Sequence, residues 1–349
     1  MELNEINTLL EKLSNAHGIS SRETAVAKII RDEISGFVDE IRTDKMGNMI
    51  AVKKGDDFKI MLAAHMDEIG LMVQFVDERG FIRFVTIGGW FNPVLVTQRV
   101  ILHGEKGQVY GVLGNKPPHV MTEEDKKKPI DLADLFIDVG ATSPEEVEAL
   151  GITVGTAVTM DRQYVKLAGT TVTGKAMDNR AGCAMLIGAL KEMKTSHTVY
   201  AVFTVQEEVG LKGAKTSAYS LDPDVAIATD VTIPGDSPGV ERRKAPVYMG
   251  KGPVIGMASA SGRGHLADPR IVDWLVKTGK KHNIACQVEV GDGGNTDASA
   301  INYERGGIPS VPFSVPARYI HSPVEVIDLK DLESAIHLLA KVVETKPKF

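Results

Sequence analysis

The stretch KIMLAAHMD, Lys59–Asp67, carries the strongest structural signal in the chain. Residues 60–64 are all apolar, which is typical of a central strand buried on both faces of a sheet. His65 and Asp67 follow at the end of that apolar run. In an open α/β sheet, ligands bind beyond the carboxyl ends of the strands. The stretch therefore predicts an α/β sheet with a functional site next to His65.

Helical and strand-like patterns alternate on both sides of this stretch. Leucine and isoleucine recur at helical spacing in residues 3–13, and MIAVKK predicts a strand. After Thr173 the alternation returns with NRAGCAMLIGALKEMK, TVYAVFTVQEE, DVAIATD, DPRIVDWLVKTGKKHN, IPSVPFSV and DLESAIHLLAKVVE. We therefore expect one discontinuous α/β domain formed by residues 1–69 and 166–349.

The intervening residues 70–165 have a different character. They contain the short β-like runs LMVQFV, FIRFVTI, RVILHG, VYGVLG and AVTM, separated by glycine and proline. This spacing predicts an inserted β-rich domain or small barrel. Trp90, Phe91, Pro93, Val94 and Leu95 cluster within it, which indicates either a small core or a protein interface.

The composition is that of an ordinary globular protein, with 43% hydrophobic and 25% charged residues and a net charge of −6. This balance gives no electrostatic reason to expect nucleic acid or an anionic membrane as a partner. Cys183 and Cys286 form no CxxC pair, and no apolar run reaches the roughly 18 residues of a membrane span. The first residues lack the basic and apolar regions of a signal peptide, so the sequence predicts a cytoplasmic protein.

Residues of the types that bind metals collect at predicted strand ends. His65 and Asp67 end one strand, Glu207 and Glu208 end a second, and Asp230 ends a third. Adjacent carboxylates such as Glu207 and Glu208 repel each other unless a cation or a proton intervenes.

Two further candidates lie outside this pattern. Asp178 opens a predicted helix, where an aspartate is most often an N-cap, and His321 lies in a loop, where a histidine is most often solvated.

The donor types favour hydrolytic metal chemistry. Imidazole and carboxylate without thiolate suit zinc, cobalt or manganese. Three carboxylate ligands and a hydroxide would balance the charge of two divalent ions. Paired ions lower the pKa of a water between them, and one carboxylate would remain free as the general base.

The motifs HMDEIG, KAMDNRAG, QEEVG, ATD and IHSP, in this order, resemble the glutamyl aminopeptidase and TET peptidase family. The resemblance extends over essentially the whole chain. It implies a mixed-sheet, zinc-exopeptidase-like catalytic domain with an inserted barrel- or PDZ-like dimerisation domain. It also implies two divalent ions per subunit, with zinc or cobalt expected, short peptides as substrates, and self-association to dimers and a dodecamer.

The resemblance also assigns roles to single residues. Asp178 would bridge both ions, His65 and Asp230 would complete one set of ligands, and Glu208 and His321 would complete the other. Glu207 would be the general base, and Asp67 would hold His65 in place. A cis peptide is expected between Asp178 and Asn179.

Other polar residues near the motifs have simpler interpretations. The stretch GDGGNTDA, residues 291–298, is expected to be either a wall of the substrate pocket or a turn before a helix. Arg180 and Lys212 are expected to be cations on helix surfaces. His119 is expected to be a loop residue without a role, with folding back toward the site as the alternative.

Two rival functions fit part of the pattern. Glu207 and Glu208 could be the carboxylate pair of a glycoside hydrolase, but such a pair flanks a sugar at about 5–10 Å. Adjacent strand residues point to opposite faces, and the histidines would be unexplained. The other rival is a non-catalytic peptide-binding cage, against which the intact candidate set and Glu207 argue.

Overall fold

The computed structural model describes residues 1–291 and 293–348. The described residues form a mixed sheet between helices, with a separate closed barrel. Strands and helices are numbered in chain order below. The fold predicted from the sequence, α/β with a β-rich insertion, is confirmed.

The mixed sheet has the strand order β1-β2-β12-β3-β13-β17-β18-β11-β10, and β14, β15 and β16 extend it beside β17. Its strands are β1 (Glu40–Thr43), β2 (Met49–Lys53), β3 (Asp56–His65), β10 (Val165–Lys166), β11 (Thr171–Gly174), β12 (His197–Thr204), β13 (Val225–Thr232), β14 (Val254–Ser259), β15 (His265–Leu266), β16 (Gln287–Val290), β17 (Ser310–Arg318) and β18 (Glu325–Asp328). Strands β12, β3, β13 and β17 are mutually parallel, so their carboxyl ends meet at one edge.

The helices cover both faces of this sheet, except that the short helix Pro144–Ala149 packs Val147 into the core of the barrel. They are α1 (Leu3–Asn15), α2 (Thr24–Ile34), α3 (Pro144–Ala149), α4 (Met177–Glu192), α5 (Lys212–Leu221), α6 (Pro269–His282), α7 (Asp297–Ile301) and α8 (Leu329–Val342). Helices α1, α2, α4, α6 and α8 bury the larger apolar core on one face, and α5 and α7 cover the other. Helix α4 is buried on all sides, because every residue from Met177 to Leu190 is buried. Within the described part of the chain, no helix is both long and apolar enough to cross a membrane.

The barrel closes in the order β4-β5-β8-β7-β6-β9 around its own apolar core. Its strands are β4 (Gly70–Val76), β5 (Ile82–Ile87), β6 (Arg99–Gly104), β7 (Gly107–Gly114), β8 (Phe136–Asp138) and β9 (Ala157–Met160). The apolar cluster predicted as core or interface is partly core and partly exposed. Leu95 is buried and Trp90 packs against the core, whereas Phe91 is 68% exposed.

Candidate metal centre

The parallel strands deliver the candidate residues to one edge of the sheet. His65 is the last residue of β3, Asp230 lies near the end of β13, and Glu207 and Glu208 follow β12. His321 follows β17, and Asp178 lies at the start of α4. All six side chains line one cavity of about 850 Å³, which we call the site cavity.

The donor atoms form two overlapping groups around His65. Single donor atoms of His65, Glu207 and Asp230 lie within 4.8 Å of one another, and so do those of His65, Asp178 and Glu208. His65 Nε2 lies 3.1 Å from Asp178 Oδ1 and 3.8 Å from Glu207 Oε2. These separations suit side chains that share cations.

Asp178 lies between two histidines. Its Oδ1 faces His65, and its Oδ2 lies 3.5 Å from Nε2 of His321. The same His321 nitrogen lies 3.4 Å from Glu208 Oε2. The two oxygens of one carboxylate therefore face two separate donor sets. The peptide between Asp178 and Asn179 is cis, as expected.

The site concentrates negative charge in a buried place. Burial raises the pKa of Glu207, Glu208 and Asp230 well above the usual carboxylate range, and neighbouring carboxylates raise it further. Burial opposes protonation of His65, but Glu207 and Asp178 outweigh it and hold the pKa of His65 well above its usual value. Each acid would be more stable with a compensating cation.

One carboxylate oxygen of the six candidate residues is buried and has no hydrogen-bond partner among the described residues. Glu208 Oε1 is buried and accepts no hydrogen bond. An unsatisfied buried carboxylate oxygen is costly unless a cation or proton reaches it. Together with the donor types, this atom shows that the residues fit a bound metal ion.

Asp67 contacts several of the candidate residues and holds them together. Its Oδ1 lies 3.5 Å from Nδ1 of His65. The carboxylate also accepts hydrogen bonds from Ser20 Oγ at 2.6 Å and from the backbone N–H groups of Glu207 at 3.1 Å and Glu208 at 3.2 Å. One side chain thus connects the ends of β3 and β12.

Glu325 is a site residue that was not predicted from the sequence, and Asp297 was predicted only as part of the stretch 291–298. Glu325 is buried and accepts the backbone N–H groups of Asp178 and His321, each at 2.9 Å. Asp297 is buried and accepts the hydroxyl of Thr204 at 2.6 Å. The signal for Glu325 was an acid directly before the apolar pair Val326 and Ile327 at the start of β18, and a glutamate is rarely buried there without partners.

The expectation that Arg180 is a surface cation is wrong. Arg180 is 0% exposed and donates hydrogen bonds to the carbonyls of Leu13 and Met66. It also lies beside Glu68, which pairs with Lys175 at 2.9 Å. The physical reason is the burial of α4 on every side, which the pattern of its small residues did not reveal.

The remaining expectations have mixed outcomes. Lys212 is exposed on α5, as expected, and His119 is exposed and does not line the site cavity. In the stretch 291–298, Gly291 and residues 293–296 line the site cavity, and Thr296 also caps α7. The stretch therefore lies before α7 as expected and lines the site cavity, and Asp292 lies outside the described residues.

Residues 47–338 match the family described as M42 glutamyl aminopeptidase. The chain belongs to this family. It is 35% identical to the lysyl aminopeptidase of Pyrococcus furiosus, over 96% of each chain. Among solved structures, this M42 chain is similar to aminopeptidase APDkam598 of the archaeon Desulfurococcus kamchatkensis, with a TM-score of 0.94, 42% identity and coverage of 99% of this chain and 96% of that one. It is also similar to the Pyrococcus horikoshii TET1 peptidase, which can assemble into a tetrahedron or a large octahedral shell, with a TM-score of 0.86, 33% identity and coverage of 98% and 99%.

Proposed function

We propose that this M42 chain is an aminopeptidase that removes N-terminal residues from short peptides with the help of two divalent ions. The observation that carries the proposal is the placement of Asp178, whose two carboxylate oxygens face His65 and His321 separately. A carboxylate in that position can serve two ions at once, and paired ions are a common device of aminopeptidases.

We propose the two ligand sets that the family resemblance implies, and the contacts of His65 with Asp178 and Asp230 support the first of them. Asp178 with His65 and Asp230 would hold one ion, and Asp178 with Glu208 and His321 would hold the other. The contact between Glu208 and His321 and the unpartnered Glu208 Oε1 support the second set. Nitrogen and oxygen donors without sulfur suit zinc, cobalt or manganese, and the family resemblance favours zinc or cobalt among these three ions.

We assign Glu207 as the general base. Its carboxylate lies 3.8 Å from His65 Nε2, inside the site cavity, and burial raises its pKa. A base near the ligands with a raised pKa can take a proton at neutral pH and release it again. The donor atoms of Glu207, His65 and Asp230 also lie within 4.8 Å of one another, and Glu207→Gln distinguishes the two roles because loss of a ligand would release an ion.

Bound ions would lower the pKa of the attacking water and polarise the scissile carbonyl. Glu207 would accept a proton from the water and pass it to the leaving amine. Asp67 would hold the imidazole of His65 and the backbone of Glu207 in fixed positions during both proton transfers. The surplus of carboxylates around the cluster would attract the free α-amine of a peptide, which favours exopeptidase action over cleavage inside a chain.

The geometry disfavours the glycoside hydrolase. Glu208 contacts His321, and Glu207 lies near His65, so each acid belongs to a group with a histidine. A carboxylate pair that flanks a sugar needs no such histidines. Chelation distinguishes the two functions, because a glycosidase of that type would retain its activity after EDTA treatment.

We further propose that residues 70–165 form a dimerisation domain of a cytoplasmic, self-compartmentalising assembly. The barrel exposes the aromatic side chains of Phe75, Phe91 and Tyr110 at 58%, 68% and 64%, and aromatic side chains are enriched at protein interfaces. The assembly of the Pyrococcus horikoshii TET1 peptidase supports the proposal.

A panel of aminoacyl anilides tests the proposed activity, with protein that has been stripped and reloaded with zinc or cobalt. We expect hydrolysis of at least one anilide by the loaded protein, and none after chelation. A loaded protein that binds peptides but hydrolyses no member of the panel would instead support the non-catalytic cage.

A further inference from the structure

The site cavity extends along the sheet, away from the proposed ion ligands. Asp230 and Thr232 are two residues apart on β13, so they share one face of the strand, with Cα atoms about 7 Å apart. Both side chains line the site cavity. Thr232 therefore lies about 7 Å along the strand from the proposed ion ligand Asp230, which is about the length of an extended lysine side chain.

A carboxylate lies at that point. Glu289 on β16 lines the same cavity, and Thr232 Oγ1 donates a hydrogen bond of 2.8 Å to its Oε2. Gly256 on β14 is its register partner and also lines the cavity. Gly291 also lines the cavity, and a Cβ there would lie 3.8 Å from the Glu289 carboxylate, so the absence of a side chain at Gly291 leaves space beside that carboxylate.

The Glu289 carboxylate has no cationic partner in the described part of the chain. Thr232 is its one hydrogen-bonding side chain there, and no lysine, arginine or histidine offsets its burial. A half-buried carboxylate without a counter-ion is stabilised by any cation that enters the cavity.

The rest of the wall suits a long aliphatic side chain. Val231, Ile233, Val240 and Ala245 line the same cavity. Lysine carries its ammonium on a four-carbon stem that packs well against apolar surface, and arginine behaves similarly. A stem of that length corresponds to the spacing of about 7 Å between the ion ligand Asp230 and Thr232.

One residue of the cavity would favour a substrate with an acidic side chain. Lys244 lines the rim, but its side chain is exposed. Solvent and salt screen an exposed charge much more than a half-buried one. The carboxylate of Glu289 therefore outweighs Lys244 as a determinant of charge preference.

We propose that Glu289 selects substrates whose N-terminal residue is lysine or arginine, by pairing with the cationic end of that side chain. The inference rests on the proposed aminopeptidase function. Glu289 acts on the substrate side chain and takes no part in the chemical step.

The test compares lysyl, arginyl, leucyl and glutamyl anilides with wild type and Glu289→Gln, both loaded with metal. We expect the ratio of kcat/KM for lysyl over leucyl anilide to fall about 10- to 100-fold in the variant, mostly through KM, as loss of a charged hydrogen bond predicts. Glu289→Asp should restore part of the ratio. Glu78→Gln, an exposed acid in a barrel turn, is the matched control and should leave it unchanged.

A binding measurement supports the kinetics. Calorimetry with L-lysine amide and L-leucine amide should show the same loss of preference in Glu289→Gln. An unchanged ratio of lysyl to leucyl anilide in Glu289→Gln would overturn the inference while the aminopeptidase function stands. If the loaded wild type hydrolyses none of the four anilides, the proposed function itself fails.

Discussion

His65 Nε2 and Asp178 Oδ1 lie 3.1 Å apart although 113 residues separate them in the chain. The chain leaves the site at the end of β3, forms the barrel, and returns to the same place at the start of α4. An insertion whose ends lie close together disturbs its host least. The loop after β5 of the barrel also borders the site. Gly89 in this loop lies so close to His321 that a Cβ added to it would be 3.0 Å from Nδ1 of that histidine.

The bridging role of Asp178 predicts a coupled loss of both ions. Asp178→Ala should bind neither ion tightly, whereas Asp230→Ala should lose one, because Asp230 contacts a single proposed set. Metal content per chain, measured after dialysis by inductively coupled plasma spectrometry, distinguishes these outcomes. Two tightly bound ions in Asp178→Ala would show that the bridging assignment is wrong.

Glu207 and Glu208 are adjacent but should behave differently. Glu207→Gln should keep both ions and lose about 10²–10⁴-fold in kcat, because the proton acceptor is gone. Glu208→Gln should weaken one ion, since it removes a proposed ligand. Metal titrations of the two variants, in parallel with anilide kinetics, measure the difference. Equal losses of metal in both variants would refute this division of labour.

The raised carboxylate pKa values predict how the metal-free protein responds to pH. Burial raises the pKa of Asp297 from 3.8 to about 6, and burial also raises the pKa of Glu207, Glu208, Asp230 and Glu325. Between the ordinary and the raised pKa values, the folded chain holds protons that the unfolded chain has lost. The free energy of unfolding therefore falls as pH rises through that window, with each such proton contributing a slope of about 1.4 kcal/mol per pH unit.

Thermal melts of EDTA-treated protein between pH 4 and pH 7 check this. The melting temperature should fall as pH rises, and the stabilisation produced by added zinc should increase, because metal replaces the protons. Asp297→Asn should flatten the slope of the metal-free protein. The lowered pKa values of Asp67 and Asp178 act with the opposite sign, at pH values below their ordinary range. Burial also lowers the pKa of His17 to about 4 and lowers the pKa values of His103 and His265, so these histidines oppose the trend within the window, where the five acids outnumber them. A metal-free protein that gains stability steadily from pH 4 to pH 7 would contradict the account.

The proposed assembly predicts a large particle in solution. Light scattering with metals present should give a mass near twelve times the 37.7 kDa of the chain. Phe91→Ser should reduce that mass, because it removes an exposed aromatic side chain of the barrel, and Tyr219→Ser on α5 is the control outside it. A dimer would keep the role of the barrel but remove the cage. A fully active monomer that digests folded proteins would refute the assembly.

The parts of the fold that follow from the spacing of apolar residues could be predicted from the sequence. The apolar run before His65, the runs that became β12 and β13, and the short runs of the barrel each determine a strand directly. Because parallel strands end at one edge, the meeting of His65, Glu207 and Asp230 was predictable from the same pattern. Strand β8 was missed, since three residues give no alternation to detect.

The rest depends on tertiary contacts that no local pattern reports. Arg180 looks like a solvated helix cation until the burial of α4 by its neighbours is known. Glu325 reaches the backbone of Asp178 from 147 residues away, and only the pairing of β11 with β18 brings them together. The pocket position of Glu289 likewise depends on how β14 and β16 extend the sheet.

The central claim is that two ions held by the His65–Asp178–His321 cluster make the chain an aminopeptidase. The most direct measurement is anilide hydrolysis by stripped protein as zinc or cobalt is added, recorded against bound metal per chain. The account predicts no activity in the stripped protein and a rise that levels off at two bound ions. Full activity in protein shown to be free of metal, or two bound ions with no hydrolysis of any anilide, would contradict it.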